Sequence, residues 1–183
     1  MAKNLSAIVP MILLLLLSAC SGDPGTGAKE VKWDRDACER CRMVLSDRVH
    51  SAQVRFYPVG GKRSKVLKFD DIGCAALWLE DKPFKDDSKT EIWVTDHRSG
   101  DWIDARKAHY VKGHLTPMEY GLGAQLTATP DSLDYSQALE DIHNTEEHFN
   151  AHGVDLLERL NEQKKRREAA QASPQQITEK TDQ

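Results

Sequence analysis

Residues 51–81 read "SAQVRFYPVGGKRSKVLKFDDIGCAALWLED", and three patterns follow one another in this stretch. Ala52, Val54 and Phe56 alternate with polar residues, the period-two signature of a strand with one apolar face. Gly60-Gly61-Lys62 is a turn signal, and "SKVLKFD" supplies a partner strand, so the two form a hairpin. "DDIGCAALWLED" then changes period. Asp70 or Asp71 caps a helix whose Ile72, Ala75, Ala76 and Leu79 share a face, and Pro83 closes the unit.

Downstream, "EIWVTDH" and "GDWIDARKAHYVKG" read as two further strands around a turn at Arg98-Ser99-Gly100. "GLGAQLTATP" adds a short strand, its glycines marking close backbone approach. After Pro130 the spacing of Ala138, Ile142 and Phe149 becomes helical, with Gly153 placed as a helix stop. A second, increasingly charged helix follows, and the polar tail from Ala172 has the composition of a disordered segment. Strands with one helix among them, followed by helices, define an α+β chain.

The N-terminus sets the chemical environment. Lys3 and an apolar run from Ala7 to Leu17 have the form of a signal peptide, too short and too early for a spanning helix. Leu17-Ser18-Ala19-Cys20 resembles a bacterial lipobox, in which Cys20 is lipidated and becomes the first residue of the mature protein. The expected organisation is a signal peptide over 1–19, a Gly-rich flexible tether over 20–32, a domain over 33–155, and a charged helix with its tail over 156–183. The expected location is the periplasmic side of a bacterial membrane, held there by the lipid. The formal net charge of −4 and the mixed charges along the chain give no basic stripe for nucleic acid.

Of the four cysteines, the lipobox takes Cys20 and leaves Cys38, Cys41 and Cys74. Exported proteins usually pair their thiols, so an odd number points to a reactive thiol, a metal ligand or a buried inert one. "DACERCRMVLSD" carries Cys38 and Cys41 in C-x-x-C spacing, with Met43 two residues on. A thioredoxin-like redox motif follows a buried strand, and "EVKWDRDA" before Cys38 is not one. Structural zinc takes four ligands, and no second pair exists; His143, His148 and His152 read as solvated helix histidines. A soft-metal clamp remains, because Cu(I) favours thiolate and thioether donors, and a Cys38–Cys41 disulfide stays open beside it. Met118 follows Pro117 and precedes Gly121 and Gly123, a placement suited to a ligand on a rigid loop, with His114 as a nitrogen donor nearby. Cys74 reads as a small buried helix residue, and Asp70 and Asp71 read as caps. No nucleophile with an evident general base and no phosphate loop is visible, so the chain reads as a carrier rather than an enzyme.

Taken together, the lipobox, Cys-x-x-Cys-x-Met, "FDDIGCAALWL", "WVTDHRSGDWIDARKAHYV" and "TPMEYGLGA" resemble the NosL family of lipoprotein copper chaperones over roughly residues 34 to 155. The resemblance implies a fold of two small ββαβ units similar to part of organomercurial lyase. It implies Cu(I) as cargo and nitrous oxide reductase as the acceptor, toward its copper–sulfide centre. It also implies Cys41 and Met118 as the leading ligands, with Cys38, Met43 and His114 behind them. The alternatives are a thiol-dependent enzyme acting on organomercurials and a structural lipoprotein with a Cys38–Cys41 disulfide.

Overall fold

The computed structural model describes residues 23–172. The signal peptide, Cys20 and the tail beyond residue 172 lie outside the described residues. Six strands and two helices follow in the order β1 (Ala52–Phe56), β2 (Lys65–Phe69), α1 (Ile72–Glu80), β3 (Glu91–Thr95), β4 (Trp102–Asp104), β5 (His109–Lys112), β6 (Leu122–Gln125) and α2 (Tyr135–Ala172). An antiparallel sheet is ordered β2-β1-β3-β4, and β5 pairs with β6 in a second, two-stranded sheet. The chain divides into two compact units between Ala138 and Leu139.

The opening stretch folds as its periodicity requires. Ala52 pairs with Phe69 and Phe56 with Lys65 across the hairpin. Helix α1 starts at Asp71, whose side chain accepts the Cys74 amide, and buries Ile72, Ala75, Ala76 and Leu79. Phe56, Trp78 and Phe84 form an aromatic cluster beside it, with Phe56 and Phe84 stacked 4.1 Å apart.

Four readings differ from the structure. The polar alternates of β1, Gln53 and Arg55, are buried as deeply as its apolar ones. The segment expected to be a free tether covers them. From Asp23 onward it is tied to the sheet: Gln53 exchanges two hydrogen bonds with the Lys29 backbone, and Arg55 binds the Gly27 carbonyl and Asp23. Asp23 is held far below the usual carboxylate range by Lys29 and Arg55. Second, "GDWIDARKAHYVKG" is two strands, because the chain turns after Asp104, where Lys107 and Ala108 donate back to the Asp104 carbonyl. Third, α2 runs through Gly153 as one helix; one glycine costs a helix only about 1 kcal/mol. Fourth, β1-β2-α1-β3 forms one ββαβ unit, but among the described residues no helix lies between later strands. The strand–helix arrangement is therefore α+β with a single such unit. Within α2, His143 and His148 are exposed, as expected for solvated helix histidines.

The loop between β5 and β6 is closed on itself and locked onto α1. His114 donates to the Gly121 carbonyl, Glu119 to the Thr116 carbonyl, and Gly121 to the Thr116 hydroxyl. Tyr120 lies flat on Gly73, where an added Cβ would meet its ring at 2.2 Å. The Gly73→Ala substitution is therefore expected to destabilise the fold by about 1–3 kcal/mol through overpacking, read as a lower urea midpoint. An unchanged midpoint would show that the loop is not held by this contact.

Candidate metal centre

The Cys38–Cys41 stretch folds as a small hairpin rather than the start of a helix. Ala37 and Val44 bridge, Cys38 donates to the Met43 carbonyl, and Arg42 takes a left-handed φ of 66° while donating to the Cys38 carbonyl. Glu39 donates to the Lys68 carbonyl of β2, which docks the turn against the sheet. This geometry departs from a thioredoxin-like motif, whose pair opens a helix.

Chain order brings Asp70 to the same place. It directly follows β2, and Cys74 lies one helical turn further along, on the first turn of α1. Cys38, Cys41, Asp70 and Cys74 each present a donor atom, and all four lie within 4.8 Å of one another. Two sulfurs on one tetrahedral ion at about 2.3 Å stand about 3.8 Å apart, so a small closure fits them around an ion. Cys38 and Cys74 are fully buried, and Asp70 is 2% exposed. Cys41 is half-buried and forms the open side, beside Met43, which is 48% exposed.

The hydrogen bonds show what the group lacks. Cys41 Sγ donates to Asp70 Oδ2 at 3.0 Å. Asp70 Oδ1 is buried with no hydrogen-bond partner. A buried carboxylate oxygen is ordinarily satisfied, and a carboxylate with one orphaned oxygen grouped with three thiols is a donor set that suits a metal ion. The thiols carry unequal protons. The hydrogen bond from Cys74 lowers Cys38 to about 7. Burial, then Asp70, pushes Cys41 up to about 12. Cys74 is raised well above the ordinary thiol range by its bond to Cys38 and by burial. The group thus holds one thiolate near neutral pH, shared within a hydrogen-bonded set. All three cysteines are free thiols, so no Cys38–Cys41 disulfide is present.

The other sequence candidates fall in different places. Met118 sits on the closed loop, half-buried, and its amide donates to Asp71 Oδ2 at 3.1 Å, beside the thiol group. Arg40, inside the C-x-x-C turn, donates to Tyr120 on that loop. His114 is turned elsewhere: its Nδ1 faces His50 Nε2 at 3.3 Å. Cys74 and Asp70, read from the sequence as a packing residue and a cap, join this group in the structure. The signal for them was the spacing Asp70-x-x-x-Cys74 across a helix start, which folds carboxylate and thiol onto one side of the capping turn.

Comparisons with protein-family models, with curated proteins and with solved structures find no match to this chain. No helix among the described residues is long and apolar enough to cross a membrane.

The protonation pattern gives a measurable expectation. At pH 8 Cys38 is largely thiolate while Cys41 and Cys74 keep their protons, so a metal bound by all three releases about two protons. Calorimetry in buffers of different ionisation enthalpy reads this number, and affinity rises with pH accordingly. Binding without proton release would mean that Cys41 and Cys74 are not ligands.

Proposed function

We propose that the chain is a membrane-anchored Cu(I) carrier that supplies copper for assembly of the copper–sulfide centre of nitrous oxide reductase. The observation that carries the metal-binding part is the buried Cys38, Cys41, Cys74 and Asp70 group with one half-exposed thiol. The motif resemblance supports the copper, the acceptor and the lipid anchor at Cys20.

Cu(I) takes two or three soft donors. In this reading Cys38 and Cys74 hold the ion from below, and Cys41 closes the site from the solvent side. Met43, exposed at the rim, and Met118, whose backbone abuts α1, are thioethers placed to exchange with a thiolate as the ion leaves. Asp70 is a harder donor; its Oδ2 accepts the Cys41 thiol's hydrogen bond until that proton leaves to solvent and the sulfur turns to the metal. A carrier must release its cargo, and an open side at Cys41 lets an acceptor's ligand enter before the last bond breaks. A lipid anchor would confine donor and acceptor to one surface and raise their effective concentration.

Anaerobic titration with Cu(I) against a competing chelator is expected to show one equivalent bound. Cys41→Ala should lose more than the roughly 100-fold in affinity that an outer-sphere change costs. Met118→Leu should slow transfer of copper to an acceptor chelator while leaving the stoichiometry unchanged. Full Cu(I) affinity in Cys41→Ala would sink the assignment.

A second reading is favoured by one contact, the 3.0 Å approach of Cys41 Sγ to Asp70 Oδ2. Thiolates that capture the mercury of an organomercurial, next to a carboxylic acid that protonates the departing carbon, would cleave the carbon–mercury bond and leave mercury on sulfur. Incubation with phenylmercury under reducing conditions tests it. Benzene formed by the full chain and abolished in Asp70→Asn would establish this activity, and its absence would leave the carrier reading alone.

A further inference from the structure

His50, His97 and His114 are separated widely in sequence, yet the sheet brings them together. His50 precedes β1 and His97 follows β3. Because these strands are antiparallel, with Ala52 opposite Val94, the two residues emerge at one end of the sheet. His114 follows β5, and β6, its partner strand, bridges Asp96 through Ala124. The His114 ring stands 5.3 Å from that of His50 and 4.4 Å from that of His97.

Two of the three rings have their tautomers set by neighbours. Asp47 Oδ2 lies 2.8 Å from His50 Nδ1. A carboxylate only accepts, so Nδ1 carries the proton and Nε2 presents a lone pair. That lone pair faces His114 Nδ1 at 3.3 Å. Gln125 Nε2 donates to the Thr127 carbonyl and to Thr129 Oγ1, which fixes its amide with Oε1 toward His97 Nε2 at 3.1 Å. His97 therefore donates from Nε2 and carries its lone pair on Nδ1. A histidine whose far nitrogen is held by a carboxylate or an amide carbonyl is the arrangement that orients imidazole ligands on metals.

The spacing is the second observation. Two nitrogens bound at about 2.0–2.1 Å to a tetrahedral ion stand about 3.3–3.4 Å apart. His50 and His114 already have that separation. His114 is pinned against Gly123, where any Cβ would come within 2.6 Å of Nε2. Burial, and then the neighbouring His97 and His50, keep His114 in the neutral form that a metal requires.

We propose that His50 Nε2 and His114 Nδ1, with the His97 ring beside His114, bind a borderline divalent cation of the Zn²⁺ and Cu²⁺ class. Imidazole nitrogens suit such ions, whereas the thiol group suits softer ones. None of the three histidines belongs to the thiol group, so the chain would carry two metal stations of different chemistry. The 113–121 loop links them, with His114 at one end and Met118 against Asp71.

The test is a Zn²⁺ titration of the ¹⁵N-labelled full chain, following the histidine ring nitrogens and the cysteine signals together. His50 and His114 ring nitrogens are expected to shift in a saturable step of one equivalent, ahead of the exposed His143 and His148. Asp47→Asn keeps Oδ1 for the Val49 and His50 amides that it now accepts, but offers an amide instead of a carboxylate to His50. It should weaken this step about 10–100-fold and leave the cysteine response unchanged. Unmoved His50 and His114 signals at saturating Zn²⁺, or an Asp47→Asn affinity equal to the parent's, would overturn the proposal. Histidine shifts without any cysteine response would uphold it, while the thiol centre stands or falls on its own Cu(I) titration, so the two readings fail separately.

Discussion

One buried carboxylate holds the thiol centre in place. Asp71, 1% exposed, accepts the Cys74 amide on Oδ1 at 2.9 Å and the Met118 amide on Oδ2 at 3.1 Å. Burial raises it to about 6, so at neutral pH it remains the ion that both amides prefer. The first bond starts α1 and thereby sets Cys74 over the C-x-x-C turn. The second draws the β5–β6 loop onto the same helix end. Asp70, the preceding residue, is buried, and its side chain meets the Cys41 sulfur. Asp70 and Cys74 flank this cap, and the docked C-x-x-C turn brings the other two donors to them.

The surroundings of the centre are tied to it by contacts that each use a different residue type. A glycine at position 73 is required because Tyr120 occupies the space of a side chain. Arg40 reaches from between the two cysteines to the Tyr120 hydroxyl. The C-x-x-C turn, α1 and the Met118 loop are therefore one mechanical assembly. On the proposed carrier reading, such an assembly would hold the donors in place while the ion is given up. Exchange with solvent or a partner would then run through the half-exposed Cys41.

Much of the fold was legible because its local patterns agree with its tertiary structure. The hairpin, the cap and the buried face of α1 follow from period and capping alone. The failures have one physical source, contacts made at long range. Gln53 and Arg55 look like the wet face of a strand until residues 23–29 cover them. The odd cysteine, Cys74, looks like inert helix packing until the C-x-x-C turn is docked on β2. His114 lies four residues from Met118 in sequence and was grouped with it. The closed loop turns its ring instead toward His50 and His97.

The sequence by itself determined the α+β pattern, the soft character of the C-x-x-C-x-Met stretch and the rigidity of the loop at Pro117-Met118. These depend on spacing, donor type and backbone restriction, all of which are local. Only the tertiary structure decided which donors share a site. Strand pairing brings residues from distant parts of the chain together, and the Asp71 cap chooses the helix face that meets them. No periodicity records either event. Cys38, Cys41, Asp70 and Cys74 became one group through the docking of the C-x-x-C turn on β2, and three histidines another through the antiparallel register of β1 with β3.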